Sequence, residues 1–584
     1  MLPQLASNPD PTDSRPIYGP GVLRQVSEAI ILLAVSVTIF RAFAAEGYLI
    51  STGSMAPSLL GYHKQVVCPS CHYSFPRGVP VEDSSSGLNA NVRSSAADRD
   101  EEIVTIDSEL LGLEGICSCP NCGLREISLA DFPKNEGDQL LVHKNIYDVR
   151  DPHRWEVVVF QNPDDPAQPY VKRVVGLPGE TIRLHDGNVY ANGQLQRKPI
   201  SAQRGVRIPV DDHDYEPDAN SPDWQPRWKP LRGETRWVRS GRDFQFEYDQ
   251  GAPVSLDWVS YRNWIREGGA HTSEVSLPRG PVRLPPTAKG VVRVDPLQRK
   301  LIAEGAMPAS MRDEILKLNG DPLLETAVRQ LYEQSHIAPI TDHYGYNRTD
   351  AAPREFAVHD LMVSCDIDLS PESTFVLALT DDQRTFVCEF HPGQQQVFLT
   401  VDKGTEPIRQ GTIPPRKEEG QHQTIEFSVM DRQVLLAIDG NLVFEPLLYT
   451  EKNKGKGRDS EASRAVDLVG DSTGEGISDP VRFAATGGPV HIAHLRLDRD
   501  VYYTPKNESE QREFVLGPSE FLVLGDNSPI SVDSRAWDHP AIDRSSLIGK
   551  PFIVHLPSRQ ARWEFGGDVR YVRIPDFSKV RYIR

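Results

Sequence analysis

The 584-residue chain is too long for one hydrophobic core and predicts roughly three to four folded units. It carries 64 Lys and Arg against 82 Asp and Glu, a net charge of −18, and so acidic a chain is ill suited to a phosphate backbone, which argues against nucleic acid as a partner. An apolar fraction of 39% with 47 prolines and 43 glycines favours short strands and turns over long helices, and predicts a mainly β fold.

Residues 1–24 are polar and read as a short cytoplasmic tail. Residues 25–46 read as a transmembrane anchor: the uncharged run 29–40 reaches about 18 Å as a helix, and roughly 25 Å if Arg41 snorkels and the helix continues to Ala45. A cleavable secretory signal is the competing reading, because Ala42-Phe43-Ala44 satisfies the small-x-small rule. Either reading places the residues after 46 on the outer face of the cell (inner) membrane, with the lipid bilayer as a partner.

Residues 47–62 hold Thr52-Gly53-Ser54-Met55-Ala56-Pro57, a bend able to present a hydroxyl. Residues 63–134 form a cysteine-rich stretch, with Cys68-Pro-Ser-Cys71-His72 at one end and Cys119-Pro-Asn-Cys122 at the other, and Cys117 just before the latter. Two Cys-Pro-x-Cys turns look like the paired knuckles of a zinc ribbon, with Cys68, Cys71, Cys119 and Cys122 as ligands to a structural zinc and residues 82–102 looping out. Disulfides and a c-type haem on Cys68-x-x-Cys71-His72 are the alternatives.

Residues 135–200 bring Gly137-Asp138, the apolar strand 155–160, and Tyr170-Val171-Lys172-Arg173-Val174-Val175 running into a Leu177-Pro178-Gly179 turn. Asp138 fits a strand-entry turn. A hydroxyl attacks a peptide carbonyl poorly unless a base takes its proton, and no histidine lies in these blocks, so a lysine must serve. A free lysine is protonated near pH 7, but the apolar flanks Val171, Val174 and Val175 offer the burial that lowers its pKa.

Residues 201–350 form an insertion whose tryptophans (Trp224, Trp228, Trp237, Trp258, Trp264) predict an ordinary core, with one helix near 322–335. Residues 351–505 alternate apolar and polar, as in Leu361, Val363, Cys365, Ile367 and Leu369, and contain a hairpin turning at Asp439-Gly440. This span resembles a concanavalin or laminin-G-like sandwich and reads as a rigid spacer or docking module, with Cys365 and Cys388 as buried thiols or a disulfide. Residues 506–584 contain Gly525-Asp526-Asn527, then Ser531, Asp533 and Arg535, and end in a basic, aromatic stretch that predicts either a strand pair or a membrane-surface segment.

The Ser54, Asp138, Lys172 and Asp526 blocks, in this order after an apolar helix, resemble the conserved boxes of type I signal peptidases. The resemblance implies a signal-peptidase-type β catalytic core with a Ser54 nucleophile and a Lys172 general base, and no cofactor for catalysis. It further implies an oxyanion hole from the Ser54 N–H and the Thr52 hydroxyl, and a lysine-orienting role for Ser531. Arg173, Asp526, Asp533 and Arg535 match charged positions around the family's site and are assigned structural ion pairs. The implied substrates are preprotein signal peptides with small residues at the first and third positions before the cut. Two further readings are a self-cleaving Ser/Lys protease of the repressor type and a membrane-tethered glycan- or protein-binding protein with a relic peptidase core.

Overall fold

The computed structural model describes residues 22–43, 45–79, 115–162, 168–218, 221, 224–248, 251, 255–266, 272–278, 280–347, 355–381, 383–402, 404–416, 422–450, 479–504, 506, 512–565 and 568–583. The expected tail, up to residue 21, and the expected loop 82–102 lie outside these. The chain is β-rich with few helices, as its turn-forming composition predicts.

The first helix, Val22–Phe43, exposes Ile30, Ile31, Leu32 and Leu33. Among the described residues no helix is long and apolar enough to cross a membrane. The apolar run is short because Glu28 and Arg41 bracket it.

An eight-stranded sheet gathers strands from three distant parts of the sequence. In spatial order these are Ala45–Leu49, Gln139–His143, Leu547–Val554, Val157–Gln161, Pro169–Gly176, Glu520–Leu524 and Ala541–Asp543, with Arg581–Tyr582 beside Leu547–Val554. Val157–Gln161 is buried at four successive positions and Pro169–Gly176 at six, as suits central strands covered on both faces. Each fully buried Val or Phe here contributes roughly 1.5–3 kcal/mol. A small second sheet, Thr181–His185, Asn188–Ala191, Gln194–Leu195 and Glu513–Val515, extends this core.

A two-sheet sandwich forms the largest unit, with one nine-stranded and one seven-stranded sheet around a shared core that includes Leu361, Val363, Cys365, Ile367, Phe427 and Phe483. Here the structure departs from the expected boundary at residue 351. The strands Ile208–Asp212, Trp237–Ser240 and Asp243–Phe246 join the larger sheet, and Trp228–Pro230 and Asp257–Tyr261 join the smaller. Trp228 and Trp237 therefore complete the sandwich core, because polar edge strands with single aromatic anchors give no clean period in sequence. At the hairpin, Asp439 (φ 50) and Gly440 (φ 83) both occupy the left-handed region that a tight two-residue turn requires. Cys365 and Cys388 are free, buried thiols, and burial raises the Cys365 thiol to about 12.

A third unit combines the cysteine knuckles with the strands Thr272–Ser276, Val292–Asp295 and Lys300–Glu304 and two helices, Ala309–Leu318 and Pro322–His336. Asp321 caps the second helix, its side chain accepting from Leu323 N at 2.9 Å, with proline at the first helical position. Cys68, Cys122, Trp224, Trp264, Leu301 and Leu331 share one cluster, so the knuckles are part of this unit's core and not a separate appendage.

Candidate active site

The strand Ala45–Leu49 leads directly into the Ser54 bend. Its exit is pinned where Ile50 N donates to the Asp138 carbonyl at 2.9 Å, and the bend itself is closed by Ala56 N to Gly53 O (3.1 Å) and Leu59 N to Met55 O (2.9 Å). Met55 and Leu59 sink into a cluster with Leu140, Val142, Val157 and Val159, leaving the Ser54 hydroxyl half-buried at the surface of that anchor.

Lys172 lies opposite Val158 in the central sheet, and pleat alternation puts Tyr170, Lys172 and Val174 on one face. The Lys172 Nζ is 2.8 Å from Ser54 Oγ and 3.2 Å from the Val171 carbonyl, with the Tyr170 ring centroid 5.4 Å away. Burial lowers the amine from the ordinary 10.5 to about 8; the Asp533 and Asp526 carboxylates pull the other way, and Arg535 adds to the lowering. A lysine so poised is partly neutral near pH 7 and able to take the serine proton.

The surrounding charges are paired. Arg173 meets Asp526 in a bidentate contact at 2.8 and 2.7 Å, both side chains buried. Ser58, at the end of the nucleophile bend, also donates to Asp526. Arg535 grips Asp533 at 2.8 and 2.6 Å, while Asp533 accepts the Gly525 N–H at 3.0 Å. Burial alone would raise the Asp533 carboxyl, and the Arg535 guanidinium overrides it and holds it below the usual value.

Thr52 Oγ1 stands 3.4 Å from Ser54 Oγ. Ser531 Oγ is buried and makes no hydrogen bond to Lys172; its hydroxyl lies on the Asp533 side, where it helps to lower that carboxyl. It packs on Gly525, where an added Cβ would fall 2.1 Å from Ser531 Oγ and 2.5 Å from the Ser54 carbonyl oxygen. Only glycine admits that approach. Asp138, read from sequence as a turn residue, fastens two segments: its carboxylate accepts from Leu60 N at 2.8 Å and from Arg581 at 2.6 Å.

Sequence reasoning missed two asparagines. Asn527 N donates to the Ser54 carbonyl at 3.0 Å and its Nδ2 donates to the Gly53 carbonyl at 3.0 Å. Asn347, from the inserted region, exchanges two hydrogen bonds with Asn527. Asn527 stands inside a block already singled out and could have been found there; Asn347 has no local signal.

The four predicted metal ligands converge. Cys68, Cys71, Cys119 and Cys122 are buried with sulfurs all within 4.8 Å of one another, and the Cys68–Cys122 and Cys71–Cys119 separations are both 3.6 Å. A disulfide needs about 2.05 Å, and the seven cysteines are free thiols here. Tetrahedral bonds of ~2.3 Å to one zinc would set sulfurs ~3.8 Å apart, close to what is found. His72 (φ 62) and Gly123 (φ 70) turn the backbone sharply after each pair, and His72 N and Gly123 N bond back to the Cys68 and Cys119 carbonyls at 2.9 Å. Cys117 stays outside the set.

The family model described as Signal peptidase, peptidase S26 matches residues 132–246, a span that holds Lys172 and Arg173. Probable signal peptidase I-2 of Synechocystis sp. is 44% identical over 64 residues, 10% of this chain and 29% of that protein. Signal peptidase I V of Bacillus subtilis is 42% identical over 65 residues, 11% of this chain and 38% of that protein. Signal peptidase I of Pseudomonas aeruginosa is 42% identical over 72 residues, 10% of this chain and 25% of that protein. The matches thus span about a quarter to two fifths of these relatives' lengths. Among solved structures, the carbohydrate binding module CBM66 from Bacillus subtilis is 8% identical with a TM-score of 0.16, covering 25% of this chain and 79% of that one, a likeness that carries no inference. The chain is thus similar over part of its length to signal peptidase I hydrolases, and the family-model match includes the buried lysine.

Proposed function

We propose that this chain is a membrane-attached serine endopeptidase that removes N-terminal signal peptides from preproteins on the outer face of the membrane. The observation that carries this reading is the 2.8 Å separation of Ser54 Oγ from the Nζ of a buried lysine lowered to about 8.

Ser54 Oγ attacks the scissile carbonyl as its proton passes to neutral Lys172. The new C–O bond forms, the carbonyl electrons move to oxygen, and the Ser54 N–H and the Thr52 hydroxyl receive that charge. Collapse breaks the C–N bond, and the Lys172 ammonium returns the proton to the departing amine. Water then repeats the sequence on the acyl-serine. Ser531, buried beside Gly525 and the Ser54 carbonyl, is assigned to orient the lysine amine. Arg173–Asp526 and Asp533–Arg535 hold the C-terminal block against the lysine strand.

The substrate binds extended, between residues 48–52 and 170–172. In support, Pro169–Gly176 pairs with Glu520–Leu524 only from Arg173 onward, which leaves backbone groups before it available for strand addition. Small side chains at the first and third positions before the cut suit such a site. The exposed apolar side chains of Val22–Phe43 supply the membrane attachment. Cys68, Cys71, Cys119 and Cys122 hold a structural zinc that is no part of the chemistry. Metal analysis of the purified chain is expected to find one zinc per chain, lost in Cys71→Ser; a metal-free wild type would remove the zinc assignment.

The decisive experiment is cleavage of a preprotein with an Ala-x-Ala site. Wild type cuts at that site, and Ser54→Ala and Lys172→Ala do not, while both variants stay folded. Full activity in either variant refutes the dyad.

A further inference from the structure

The inserted region touches the nucleophile bend at Gly205, whose carbonyl accepts from Ser58 Oγ at 2.6 Å, and again at Tyr344–Asn347. Tyr344–Asn347 lies between the second cysteine knuckle and Gly53: a Cβ on Gly345 would meet Pro120 at 2.9 Å, and one on Gly53 would meet the Tyr346 ring at 2.2 Å. Tyr346 is tied down by its carbonyl accepting from Gly78 N at 3.0 Å and its hydroxyl donating to the Tyr62 carbonyl at 3.2 Å.

Beside it, Asn347 Nδ2 donates to Asn527 Oδ1 at 2.8 Å, and Asn527 Nδ2 donates to Asn347 Oδ1 at 2.7 Å. The second proton of Asn527 Nδ2 goes to the Gly53 carbonyl at 3.0 Å. The two-bond exchange fixes which way the Asn527 amide faces, because a flipped amide would set oxygen against oxygen. With its amide fixed, Asn527 holds the carbonyl of the peptide that carries the Ser54 N–H, Gly53 C=O, through its side chain, and the carbonyl of the next peptide, Ser54 C=O, through its backbone N–H, both at 3.0 Å.

We propose that Asn347 is a positioning residue for the nucleophile, acting through Asn527 to set the orientation of the Gly53–Ser54 peptide. The proposal rests on the peptidase reading of the site. It makes the insertion a working part of that site: the N–H that would face the oxyanion is aimed by a residue of the inserted region.

The test compares wild type, Asn347→Ala, Asn527→Ala, the double variant and Ser54→Ala on a peptide with an Ala-x-Ala site. Hydrogen–deuterium exchange over residues 52–59 is measured in the same full-length proteins without substrate. Asn347→Ala is expected to lower kcat by roughly 10- to 100-fold with KM unchanged within about twofold. The double variant falls no lower than Asn527→Ala alone, since one acts through the other, and exchange over 52–59 speeds up. An additive double variant, or an unchanged kcat with unchanged exchange, overturns the proposal. If Asn347→Ala fails to fold, Asn347→Ser, too short to meet both Asn527 atoms, carries the same expectations. If wild type and Ser54→Ala are equally inactive, the peptidase reading fails, and exchange alone decides: faster exchange sustains the positioning and unchanged exchange overturns it.

Discussion

Replacing Lys172 by methionine is expected to abolish cleavage and at the same time stabilise the core. Folding lowers the amine from 10.5 to about 8, which costs about 3 kcal/mol wherever the lysine would be protonated in the unfolded chain. Methionine fills a similar volume without a charge. The substitution also removes the contacts to Ser54 Oγ and the Val171 carbonyl, worth about 1 kcal/mol net, which leaves a gain of about 2 kcal/mol. The sign follows from proton binding: between about 8 and 10.5 the folded state binds fewer protons than the unfolded one. The penalty is therefore present in full below pH 8 and fades as pH rises through 10.5. Urea unfolding of the full-length variants, read by exchange in peptides from residues 139–176, measures the difference at several pH values. A variant less stable than wild type near pH ~7, or a gain that does not shrink towards pH ~10, refutes the account.

If Lys172 is the base, as proposed, kcat/KM is expected to rise about tenfold from pH ~7 to ~9 with a midpoint near 8; a profile still climbing linearly past pH ~10 shows an unperturbed lysine. Asp526→Asn leaves buried Arg173 without its counter-charge and should destabilise the core by about 3–5 kcal/mol in denaturant titration. At the junction of core and sandwich, buried Lys198 bonds Asp431 and Asp500, and Asp360 beside them is raised to about 8 by burial and by those two carboxylates. A carboxyl raised in this way binds more protons folded than unfolded, so it costs stability as pH climbs from about 4 to 8. Asp360→Asn should flatten the stability profile over that window, and an unaltered profile contradicts the assignment.

The chemistry of the site was legible where side-chain type and neighbourhood sufficed. Ser54 in its bend and Lys172 among valines are local patterns, and the structure brings them together. The four cysteines were legible for the same reason, since each pair sits in its own turn. The sandwich was half-legible: strands such as Leu361–Leu369 alternate cleanly, whereas Trp237–Ser240 buries only its first residue and carries almost no period. Asn347 was invisible because its partner lies 180 positions away, and no spacing rule reaches that far. Ser531 shows the reverse limit: a motif position fixes where a hydroxyl sits, not which atom it bonds.

The strand order of the central sheet also has a consequence for timing. From the strand that leads into Ser54 to the strand that carries Lys172, the path runs through Gln139–His143, then Leu547–Val554, then Val157–Gln161. Leu547–Val554 comes from far downstream in the sequence and lies between the two halves. While the ribosome is still making the sandwich, the serine half and the lysine half have no shared sheet to join them. Such long-range pairing is slow to form. The sheet that joins the two halves is completed only when Leu547–Val554 slots between them, so it closes late in synthesis.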